Sequence, residues 1–67
     1  MNHTITIGNR KFFTAQVVDE YDHKTYDMTV IFEDMPNDPP RLVNYYFGEP
    51  QISMTARYLQ WHIDGGI

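Results

Sequence analysis

From Thr4 to Glu33 the chain alternates side chains in three short runs separated by turn-forming residues. That alternation commits the first half to antiparallel strands with two distinguishable faces. The runs are Thr4 to Ile7, Lys11 to Asp19 and Thr25 to Glu33, with Gly8-Asn9-Arg10 read as a three-residue hairpin loop and Asp22-His23 as the close of a second hairpin. In the second run Phe13, Ala15 and Val17 share one face, opposite Phe12, Thr14, Gln16 and Val18; in the third, Tyr26, Met28, Val30 and Phe32 lie opposite Asp27, Thr29, Ile31 and Glu33. Closing the second hairpin at Asp22-His23 sets Val17 against Met28, Ala15 against Val30 and Phe13 against Phe32. The first hairpin adds Ile5 against Phe13 and Ile7 against Lys11. This apolar face is the predicted core, because a one-residue slip would break every match.

Three prolines in Met35 to Pro40 remove ladder donors and predict a stiff, extended crossover. Arg41 to Phe47 follows as a fourth strand, apolar on both faces (Val43, Tyr45, Phe47 and Leu42, Tyr46), so the pattern does not choose which side is buried. Gln51 to Ile63 alternates well enough for a strand, but Ile52, Ala56, Leu59 and Ile63 also form a helical stripe. The length of the run and the stop at Gly65-Gly66 favour helix, with Ser53 as its N-cap. The expected architecture is α+β: one domain over 1–67, a small antiparallel four-stranded sheet with a C-terminal helix packed on one face, in the order ββββα.

A chain of 67 residues has a thin core, and here aromatics, 15% of the sequence, carry much of it. The absence of cysteine excludes disulfides, thiolate chemistry and Cys-based zinc sites. Small secreted domains rely on such staples, so a cytoplasmic protein is expected. Neither a signal peptide nor a membrane span is legible. His3, His23 and His62 are scattered, and the single serine, Ser53, reads as a cap. Asp34 to Asp38 lacks the ligand spacing of a calcium loop. The expectation is a non-enzyme without cofactor or metal.

Seven carboxylates against Lys24 alone occupy Asp19 to Asp38, in a chain of net charge −4. Direct nucleic-acid binding is therefore not expected, since phosphate would be repelled. On a helix, Met54, Tyr58 and Trp61 fall opposite the Ile52 stripe. With Tyr46 they form the candidate partner-binding set, because one thin sheet cannot shelter both stripes. These features predict a small protein-interaction module whose partner is another protein, a second copy of the chain included. The alternative is an acidic inhibitor that imitates nucleic acid through Asp19, Glu20, Asp22, Asp27, Glu33 and Asp34.

Overall fold

A computed structural model describes residues 3–65. Four strands, β1 (Thr4–Ile7), β2 (Arg10–Tyr21), β3 (Lys24–Asp34) and β4 (Arg41–Phe47), precede one helix, α1 (Ile52–Ile63). The sheet is an antiparallel meander in the order β1-β2-β3-β4, giving the expected ββββα fold. Met35 to Pro40 therefore joins neighbouring antiparallel strands and is no crossover. Among the described residues, no helix is long and apolar enough to cross a membrane.

The β2–β3 register is the one the alternation predicts: Phe13 faces Phe32, Ala15 faces Val30 and Val17 faces Met28. Asp22 and His23 close this hairpin, both with positive φ (53° and 62°). Two successive left-handed residues give the turn the twist that the flanking strands require. The first hairpin differs from expectation. Its loop has two residues, Gly8 and Asn9, so Ile7 pairs with Arg10 and Ile5 with Phe12. Gly8, at φ 61°, supplies the positive φ at the first central position. The shorter loop moves Ile5 and Ile7 onto the Phe12 side of the sheet.

That side is the core. Phe12, Ile31, Tyr46 and Leu59 are buried, with Ile5, Ile7, Val43, Met54, Tyr58 and Ile63 packed around them. The face predicted as core, Phe13 to Val17 with Met28 to Phe32, is the face the helix leaves uncovered. The core side reads as polar in sequence because it carries Thr14, Thr29 and Glu33, all buried. Each has a partner that removes the cost of burial. Thr14 Oγ1 accepts from the His3 amide at 2.8 Å, Thr29 Oγ1 donates to the Gly48 carbonyl at 2.8 Å, and Glu33 is ion-paired to Arg10.

The β4–α1 connection decides which face the helix covers. Gly48, at φ 110°, turns the chain out of the sheet, and its amide donates to the Asp27 carbonyl at 2.7 Å. The Tyr46 hydroxyl then holds the helix start. It accepts from the Gln51 amide at 3.0 Å, lies 3.2 Å from the Gln51 carbonyl, and shares a 2.8 Å hydrogen bond with Thr55 Oγ1. Because Tyr46 projects on the Phe12 side, α1 starts there and stays there. The N-cap is Gln51 rather than Ser53, and no side chain caps the end. At the other end the Gly65 amide donates to the His62 carbonyl at 3.2 Å; Gly66 lies outside the described residues.

Tyr46→Phe leaves the Gln51 amide and the Thr55 hydroxyl short of a partner at the same packing volume. Urea unfolding should show a loss of about 1–3 kcal/mol, the cost of orphaning buried polar groups.

Candidate functional site

The uncovered side of the sheet carries a continuous set of apolar side chains. Strand pairing brings Phe13, Ala15 and Val17 of β2, Tyr26, Met28, Val30 and Phe32 of β3, and Tyr45 and Phe47 of β4 onto it. A register shift between Ile31 and Phe32 places Leu42 opposite Phe32 and keeps it on this side. Val43, beside the shift, packs into the core instead. Phe47 is 67% exposed, Leu42 59% and Tyr45 52%.

These residues form a shaped surface. The Phe13 and Phe32 rings stack across the β2–β3 pair with centroids 5.3 Å apart. Tyr45 and Phe47, two residues apart on β4, meet edge to face at 6.1 Å. Between them and β3 runs a shallow cleft of about 410 Å³ lined by Met28, Val30, Leu42, Tyr45 and Phe47. Among the described residues that line it, the Tyr45 phenol is the only polar side-chain group, so the cleft suits apolar groups. No described element covers it.

The sequence-predicted partner-binding residues do not share one open stripe. Helix α1 is rotated from the expected setting, with Thr55 and Leu59 facing the sheet and Ile52 exposed. Met54 and Tyr58 flank that line and pack against the core. Tyr46 is buried, at 4% exposure, and is corrected from surface contact to core member; its hydroxyl is consumed by the helix start. Tyr58 stacks on Tyr46 at 5.4 Å, and Trp61 lies tilted against Tyr58 at 6.3 Å. Only Trp61, 56% exposed, remains as an open anchor. Alternation places Val30 in the expected core and leaves the buried side of β4 open, so it does not identify Phe47, Tyr45 and Leu42 as surface residues. The signal available was the apolar content of both faces of β4.

The acidic set is likewise divided. Asp19, Glu20 and Asp22 are exposed at the β2–β3 tip, and Asp27 accepts from Gln16 Nε2 at 2.9 Å. Strand extension carries Glu33 and Asp34 to the opposite end, ~20 Å from Asp27. There Glu33 is buried and corrected from contact residue to structural ion pair: Arg10 Nε and Nη2 each donate to one of its oxygens at 2.8 Å. The Arg10 guanidinium also sits 5.2 Å over the Phe12 ring. Among the described residues, no three His, Asp or Glu side chains gather as a metal site.

No protein-family model, no curated protein and no solved structure matches this chain. Fold and surface alone define the class: a small α+β protein whose single sheet is covered by its helix on one side only.

The hydrogen bonds from Arg10 hold the Glu33 carboxyl below its ordinary value of 4.5, and Arg10, Arg41 and His62 add favourable charge. A carboxyl lowered in the folded state stabilises it fully above the unfolded value, and that stability is lost as pH falls through the folded one. Stability against pH, measured by urea unfolding, should therefore decline below about pH 4.5. Glu33→Gln should lower the neutral-pH plateau and flatten that decline.

Proposed function

We propose that this protein is a small protein-interaction module that binds through the uncovered face of its sheet. The observation that carries this reading is that face itself: ring-stacked, continuous across three strands and left open while a helix covers the other side. The largest apolar patch on a soluble monomer covers ~300–600 Å², and patches of that size are often functional.

The chemistry of the face selects the kind of partner. Aromatic and aliphatic side chains with little polar content fit another apolar protein surface, where Tyr and Phe serve as anchors. Phosphate-rich partners and anionic lipid surfaces are disfavoured by a net charge of −4 and by the carboxylates at the β2–β3 tip. Action is by occupation: the module covers a complementary surface and excludes water from it. The role of Trp61 is secondary, since its ring rests against Tyr58 and stands apart from this face.

Hydroxyl-radical footprinting read by mass spectrometry tests the proposal. Tyr45 and Phe47 should be oxidised several-fold more slowly inside the cell that makes the protein than in dilute purified solution. Trp61 serves as the internal reference and should react alike in both. Equal reactivity of Tyr45 and Phe47 in the two settings would refute the reading.

A further inference from the structure

We infer that the occupant of the uncovered face is a second copy of this chain, stacked sheet against sheet about a twofold axis, an inference that rests on the reading of that face as a protein-binding surface. Two lines of observation lead there, one from area and one from charge.

Tyr26, Tyr45 and Phe47 are 39%, 52% and 67% exposed. At ~150–250 Å² per aromatic side chain they leave about 300 Å² open. Leu42 and Val17, also exposed, and the half-buried aliphatic groups between them contribute about as much again. Two copies placed face to face would thus remove roughly 1,200 Å² from water, the lower bound for a specific, stable interface. A twofold needs a surface that complements itself. An apolar face ridged by stacked rings beside a shallow cleft meets that need: Phe47 and Tyr45 of one copy can seat against the cleft of the other. Sheets stacked this way lie ~10 Å apart with strands offset by ~30°. The result has four layers, helix, sheet, sheet and helix, and both sheets are then covered on both sides.

Charge selects the orientation. The β2–β3 tip carries Asp19, Glu20, Asp22 and Asp27 against Lys24 alone. At the opposite end Lys11 and Arg41 are exposed beside Asp34 and Asp38, and Glu33 is neutralised by Arg10, so that end carries little net charge. An axis running along the strands would bring the two acidic tips together. An axis crossing the strands sends them to opposite ends, each over a partner end of little net charge. Like charges repel, so the crossing axis, which separates the two acidic tips, is favoured.

The arrangement also accounts for the shape of the chain. The body is elongated, 41 × 24 × 22 Å, because β2 runs to Tyr21 while β1 pairs with it only as far as Phe13. β4 pairs with β3 only as far as Met28, so the outer third of the β2–β3 hairpin, beyond Val17 and Met28, is a two-stranded arm, and such an arm is marginal in water by itself. In the stacked pair Tyr26 on the arm and Val17 at its base lie over the partner.

Sedimentation equilibrium at ~0.1 mM chain, where mass action favours assembly, tests the inference. The wild type should sediment at twice the chain mass. Phe47→Lys and Leu42→Lys, both at positions exposed enough to spare the monomer fold, should each weaken association tenfold or more. Trp61→Glu, on the helix, should leave it unchanged. A wild type at the chain mass, or a dimer that survives both lysines and yields to Trp61→Glu, overturns the inference.

Orientation is read separately. The chain lacks cysteine, so His23→Cys takes a single spin label. Each tip stands seven residues, ~24 Å, from Val30 at the middle of the face. Labels ~40–50 Å apart are expected for the crossing axis; a short separation overturns it. Failure here remains distinct from failure of the module reading. A monomer in the centrifuge whose Tyr45 and Phe47 are nonetheless protected in cells excludes the second copy and leaves the face as a surface for a different protein.

Discussion

The Tyr46 hydroxyl is the constraint on which the rest of the structure depends. One side chain at the end of β4 engages the Gln51 amide and Thr55 Oγ1, and through them fixes where the helix begins and which way it leans. A sheet this small has room for one helix on one side. Once Tyr46 claims α1 for the Phe12 side, Leu59 fills the space over Phe12 and Ile31, and the other side stays open. The Gly48 corner assists by turning the chain, and its carbonyl is tied down by Thr29.

This choice of side explains what was legible in the sequence and what was not. Strand positions, the Asp22-His23 turn and the β2–β3 register follow from alternation and turn chemistry, which are local signals. The buried face does not, because alternation ranks side chains by polarity and cannot see partners. Thr14, Thr29 and Thr55 count as polar in any such ranking, yet each finds a hydrogen bond and is buried. Phe13, Val30 and Phe32 count as apolar, yet they line the surface. The helix rotation was misjudged for the same reason: Thr55, not Ile52 or Ala56, stands with Leu59 at the centre of its contact. The first hairpin slipped by one residue because Gly8-Asn9 closes a tighter loop than the one expected, and a slip of one exchanges faces.

The surface consequences are coupled. The same rotation that seats Thr55 against Tyr46 packs Met54 and Tyr58 beside the core and turns Trp61 outward at the end of a ladder of rings running from Tyr46. The same extension that builds a long β2–β3 hairpin separates the carboxylates, leaving one acidic tip and one buried ion pair in place of a continuous negative surface. What remains for recognition is an apolar platform on β2, β3 and β4, flanked by an acidic end and one of little net charge. Such a platform gives contact area from its rings and direction from its unequal ends.

The central claim is that α1 covers the Phe12–Ile31 side and leaves the Phe13–Val30 side open. Nuclear Overhauser contacts from the Leu59 methyl groups test it most directly. The account predicts cross-peaks to the Phe12 ring and the Ile31 methyls, with none to Val30 or Phe32. Contacts from Leu59 to Val30 and Phe32 would place the helix on the opposite face and contradict it.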